Sequence, residues 1–142
     1  MIYLDTGCPV KLYYPEPDSA KVIALIQGKP VCHTPLHELE SMNALQLKVF
    51  LKSATGAQVT AARSLIEADV KAGVLVSVVA EWKDIFLEAV KLSEIHSGLR
   101  GCRSLDVLHC AAAKMLGVSE FVITDARQKN LAAAMGLNLV TF

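Results

Sequence analysis

Charge of one sign is missing from this chain. Its 142 residues carry 14 Lys+Arg against 14 Asp+Glu, a formal net charge of zero, which excludes a protein held on nucleic acid by bulk charge alone. Long apolar runs are missing too: the most apolar short stretch, 74–80, falls far below the ~20 residues that cross a bilayer. Met1 leads straight into Ile2-Tyr3-Leu4, with neither a basic region nor a small-residue cleavage site. The expectation is a cytoplasmic protein with no membrane association. Cysteine is scarce, and Cys8, Cys32, Cys102 and Cys110 make no C-x-x-C pair and no zinc-finger spacing with the histidines. They read as small apolar core or turn residues. No G-x-G-x-x-G follows the first apolar run, which excludes a dinucleotide fingerprint.

What is present is apolar and regularly punctuated. Hydrophobic residues make up 53% and mean hydropathy is +0.40, which with balanced charge excludes a disordered chain. A chain of this length buries roughly two-thirds of its unfolded surface, enough for one core, so residues 1–142 read as a single domain. Short apolar runs at 2–5, 31–33, 74–79, 121–124 and 137–142 are expected strands. The β-branched run at 74–79 suits a strand buried on both faces. Helices are expected at 20–26, 35–52, from 56 through 70, at 80–96, 104–116 and 126–135, with a short helical piece before residue 14. Thr34 before Pro35 reads as a hydroxyl N-cap with proline at the first helical position, and Gly98 and Gly101 read as a loop. Strands alternating with helices predict an α/β fold, a central parallel sheet in a three-layer α/β/α arrangement.

Four acids stand where such a sheet places its ligands. Asp5 and Asp125 stand at the ends of expected strands, and ligands bind beyond the carboxyl ends of parallel strands. Glu40 lies on the second turn of the helix after the second strand, and Asp106 on the first turn of an Ala-rich helix; both helices begin at the same sheet edge. Each acid alone has an ordinary explanation, as a turn residue, an N-cap or a complement to the helix dipole. Glu40 and Asp106 are less ordinary, because they sit among Leu39, Met42, Leu105, Val107 and Leu108. Converging carboxylates repel, and no cluster of cations is visible to neutralise four of them. A hard divalent ion would do so: Mg²⁺ prefers oxygen ligands and retains waters for a substrate phosphate, which points to phosphodiester chemistry. A phosphate-accepting regulatory domain would need an acceptor Asp after the 74–79 run, and none is there.

The segments YLDTGCPVKLYYPEPDS, TPLHELESMNAL, RSLDVLHCAAAKMLG and EFVITDARQKNLAAAMGL together resemble the PIN domain family, most closely its VapC-like toxin ribonucleases, over nearly the whole chain. In that resemblance Asp5 is the first acid and Glu40 the second, with Thr34 six residues before it and Ala44 four after. Asp106 is the third, with His109 one turn on, and Asp125 the last. The resemblance implies a three-layer Rossmann-like fold and Mg²⁺- or Mn²⁺-dependent endonucleolytic cleavage of RNA. It also implies a cognate antitoxin protein and a homodimer. A PIN fold that binds RNA or protein with little nuclease activity is the alternative. Two positions depart from the family pattern. Gly7 replaces a hydroxyl or amide residue, removing a side-chain donor, and Ile123 stands where many relatives have Thr.

By this reading Asp5, Glu40, Asp106 and Asp125 are the catalytic acids and metal ligands. Thr6, Arg103, Thr124 and Arg127 are substrate-binding residues, although strand alternation would turn Thr124 the other way. With so few cations, RNA binding should be modest and weaken as salt rises. His33 and His37 do not make a zinc pair, because Pro35 begins the helix between them. Trp82 and Phe86 read as core or dimer contacts.

Overall fold

Ile2, Tyr3 and Leu4 are apolar in succession, and they form β1 (Ile2–Leu4), the middle strand of the sheet, buried on both faces. The computed structural model describes residues 1–5 and 7–141. After β1 come α1 (Cys8–Tyr13), α2 (Ser19–Ile26), β2 (Val31–His33), α3 (Pro35–Phe50), α4 (Gly56–Ala72) and β3 (Leu75–Ser77). Then follow α5 (Trp82–Arg100), α6 (Ser104–Met115), β4 (Glu120–Val122), α7 (Ala126–Ala134) and β5 (Leu139–Val140). The strand order is β3-β2-β1-β4-β5, and every pairing is parallel. Helical crossovers carry the chain back between parallel strands.

Side chains alternate across the sheet with the period of two that strands impose. Tyr3, Cys32 and Phe121 face a core built with α5, α6 and α7, while Ile2, Leu4, Val31, Leu75 and Val122 face a second core on the other side. Tyr3 and Phe121 meet edge to face at 5.3 Å, a geometry that contributes about 1 kcal/mol beyond the area buried. Two helix starts follow their sequence signals closely. Thr34 Oγ1 accepts from His37 N at 3.4 Å with Pro35 at the first helical position, and Thr55 Oγ1 accepts from Gln58 N at 3.2 Å.

Two expectations fail for tertiary reasons. The 74–79 run is no doubly buried strand: β3 spans Leu75–Ser77 at the sheet edge, Leu75 alone of these three is buried, and Val79 is 96% exposed. Gly98 lies inside α5, which continues to Arg100 and ends at Gly101 with φ +64°. A helical glycine costs about 1 kcal/mol relative to alanine, and the seam of α5 against α6, through Ile85, Ala89 and Leu92, outweighs it.

Candidate functional site

The sheet order reverses beside β1: β2 and β3 lie on one side of it, β4 and β5 on the other. The carboxyl ends of β1 and β4 therefore flank the topological switch point, where open α/β sheets leave a crevice. Asp5 emerges from β1 at that point and is 1% exposed. Its carboxylate accepts from four donors, three of them on one oxygen. Oδ1 accepts from Gly7 N at 3.1 Å, and Oδ2 accepts from Thr124 N at 2.6 Å, Thr124 Oγ1 at 3.1 Å and Asp125 N at 3.3 Å. The backbone N–H of Gly7 thus supports Asp5 although position 7 carries no side chain. Thr124 faces Asp5, contrary to strand alternation, because β4 ends at Val122 and the pleat no longer governs residue 124.

The starts of α6 and α7 bring two more acids to the same cleft. Asp106 is buried and closes the first turn of α6, accepting from Arg103 N at 3.0 Å. The Arg103 guanidinium also lies on it, with Nε 3.0 Å from Oδ2 and Nη2 3.1 Å from Oδ1. Asp125 caps α7, its Oδ1 accepting from Arg127 N at 2.8 Å and Gln128 N at 3.2 Å. Its Oδ2 accepts from Arg103 Nη2 at 3.1 Å, and Arg127 Nε stands 3.9 Å from Oδ1. Burial pushes the Asp125 carboxyl up, but the two backbone donors and the two arginines outweigh it and hold it below the usual carboxylate range. The ordinary cap role and a site role therefore coincide in Asp106 and Asp125. Arg103, read from sequence as a phosphate contact, instead pairs with both acids, while its side chain remains 58% exposed.

Glu40 stands apart. It pairs through Oε2 with His109 Nε2, and Tyr3 OH bonds His109 Nδ1 at 2.9 Å. His109 is wholly buried one helical turn after Asp106. Next to it, His37 bonds Leu4 O through Nε2 at 2.9 Å and Thr34 Oγ1 through Nδ1 at 2.9 Å. Burial, followed by the nearby His109, pushes His37 down to about 3, so the ring is neutral. These bonds serve packing and capping.

One cleft of about 320 Å³ is lined by Asp5, Gly7, Arg103, Asp106, Thr124, Asp125 and Gln128. Three of the four expected acids line it; Glu40 does not. Thr6 lies outside the described residues, and Arg127 stands beside the cleft on α7. A larger cleft of about 430 Å³, lined by His33, Glu38, Met42 and Arg63 among others, contains none of the four acids. Sequence reading missed Gln128, whose only signal is its position three residues into the turn that Asp125 caps.

The donor chemistry suits a hard divalent ion. The cleft offers carboxylate oxygens, as Mg²⁺ requires, and Glu40 Oε1 is a buried carboxylate oxygen with no partner among the described residues. Among the described residues, no group of three or more His, Cys, Asp or Glu side chains stands in a coordinating arrangement. Arg103 spans two of the acids and supplies the neutralising charge.

Comparison with known proteins agrees with the fold. No curated protein sequence matches. Among solved structures, the chain is similar to the Mycobacterium tuberculosis VapC20, a sarcin-ricin-loop-cleaving toxin, at 17% identity and TM-score 0.65, with 96% of each chain covered. It is similar to VapBC2 of Rickettsia felis, solved on a DNA fragment from their promoter, at 17% identity and TM-score 0.65, covering 99% of this chain and 98% of that one. FitAcB of Neisseria gonorrhoeae matches at 15% identity and TM-score 0.62, covering 98% and 96%. At these identities the likeness is one of fold. The PIN domain model itself matches residues 2–134, and with the acids gathered at the switch point of a five-stranded parallel sheet, the chain belongs to the PIN domain family.

Proposed function

We propose that the protein is a divalent-metal-dependent endoribonuclease, the toxin of a type II toxin–antitoxin pair. The observation that carries this reading is the presence of Asp5, Asp106 and Asp125 around one cleft at the switch point of a family whose members are typically metal-dependent nucleases. Asp5, Asp106 and Asp125 would hold Mg²⁺, or Mn²⁺ in its place, with Glu40 contributing from α3. The ion supplies Lewis-acid stabilisation of charge on the phosphodiester oxygens. The chain does the positioning. Gly7, Thr124 and the Asp125 N–H fix the Asp5 carboxylate, and the pair of His109 and Tyr3 fixes Glu40. The exposed Arg103 exchanges its two carboxylates for a substrate phosphate, with Arg127 beside it and Thr6 and Thr124 as hydroxyl donors to the substrate.

The same reading puts the protein in the cytoplasm with its RNA and a small antitoxin; two of the structural relatives are complexes, FitAcB and VapBC2. It also includes a homodimer, supported by exposed apolar side chains on α5, namely Phe86, Leu87, Val90 and Leu99.

Purified protein should cut single-stranded RNA in Mg²⁺ or Mn²⁺ and stop when a chelator is added. Asp5→Asn should keep the circular dichroism of the wild type and lose roughly 10²-fold or more of the rate, the scale of losing a charge-stabilising group. Wild-type cleavage in that variant would overturn the assignment. The second reading, a PIN-fold module that binds RNA or protein without cutting, is favoured by the Arg103 ion pairs, which neutralise two acids without a metal. RNA binding with no cleavage in either metal would support it.

A further inference from the structure

Asp125 caps α7 by accepting the backbone N–H of both Arg127 and Gln128, so Gln128 is held at a defined place in the first turn. Its side chain is wholly buried, and among the described residues neither its amide nitrogen nor its amide oxygen has a partner. Burying an amide without partners is unfavourable; a Met or Leu would fill the same space without that cost. Gln128 lines the same cleft as Asp5, Asp106 and Asp125.

The other polar side chains of the cleft are already engaged. Asp5 accepts four donors, Thr124 Oγ1 gives its proton to Asp5, and Arg103 lies on Asp106 and Asp125. A phosphate entering among three carboxylates is repelled, and Arg103 and the Thr124 hydroxyl meet it only after leaving the acids, so a donor that the acids do not capture is needed beside them. A cation is captured, as Arg103 shows. A neutral carboxamide is not, since it gains far less from a carboxylate than a guanidinium does.

We propose that Gln128 is a substrate-contact residue whose carboxamide, covered without substrate, turns into the cleft it lines and donates an N–H to a non-bridging oxygen of the bound phosphodiester. The inference rests on the nuclease reading for the identity of the substrate.

Two measurements test it. In ¹⁵N-labelled wild type, the Gln128 side-chain NH₂ resonances should shift on titration with a mixed-sequence five-nucleotide single-stranded RNA in Ca²⁺. Gln128→Met, which keeps the length and removes the polar atoms, should fold with a thermal midpoint no lower than wild type, while kcat/KM for RNA falls roughly 10- to 100-fold. The resonance readout needs no variant, so it decides the matter if Q128M folds poorly. An unmoved NH₂ pair together with wild-type kcat/KM in a folded Q128M would overturn the proposal. RNA that shifts the Gln128 amide without being cut leaves this inference standing and removes the nuclease reading. Cleavage with both Gln128 readouts flat does the reverse, and a chain that neither binds nor cuts RNA overturns both.

Discussion

Gly7 leaves no room for a side chain. A Cβ there would lie 2.9 Å from Thr124 Oγ1 and 3.8 Å from Asp5 Oδ1, so an alanine must drive the Thr124 hydroxyl off the carboxylate it serves. Gly7→Ala is expected to destabilise by about 1–3 kcal/mol, the scale of a hydrogen bond to a charged group, and to slow RNA cleavage. In a Thr124→Ala background the same change should cost much less, because the obstructing oxygen is gone. Urea unfolding of the four proteins of that cycle would show the coupling, and fully additive losses would refute the contact. At this scale the sequence is legible for the acids and silent about their partners. Asp5, Asp106 and Asp125 are readable from position after a strand or in a first helical turn. That Thr124 and Asp125 donate to Asp5, or that an amide at 128 is buried without a partner among the described residues, depends on atoms brought together from distant parts of the chain.

The starts of α6 and α7 each combine a cap with a cleft-lining acid, and Arg103 joins them. Replacing Arg103 by Gln keeps the backbone N–H that Asp106 accepts while removing the charge. With its side chain more than half exposed, the pair is screened by solvent, so the loss without divalent ions should be on the order of 1 kcal/mol. Excess Mg²⁺ should raise the thermal midpoint of R103Q more than that of wild type, since the ion no longer competes with a guanidinium. Equal midpoint gains in the two proteins would show that Arg103 does not occupy the ion's place. Element starts were readable where a side chain caps the helix locally, as at Thr34 and Thr55. The rank of a strand within the sheet was not: residues 74–79 are β-branched and apolar, yet nothing local marks β3 as an edge. Gly98 misled for the same reason, as the packing of α5 on α6 is decided at long range.

Across the whole molecule, balanced charge leaves stability to respond to pH through a few buried groups. The folded protein holds His37 near 3, well below its ordinary 6.5, so the unfolded chain takes up that proton first. Its contribution is complete above about pH 6.5 and drains as pH falls towards about 3. Asp125, held below its ordinary value, acts in the same direction at the acid end of that range. Urea midpoints should therefore drop between about pH 7 and pH 5, and the drop should shrink in His37→Gln; an unchanged pH slope in that variant would assign the loss elsewhere. The architecture as a class, alternating strands and helices with acids at one sheet edge, was readable from periodicity, because each strand and helix states its own type locally. The strand order was not. That order sets β1 against β4, and Asp5 is tied to Thr124 and Asp125 across almost the entire length of the chain. A polypeptide still emerging from the ribosome consequently has no finished acid cleft until residue 125 has been added and β4 has docked. Residue 5 must wait for residue 125, and a growing chain gains this site only once that later segment has left the ribosome.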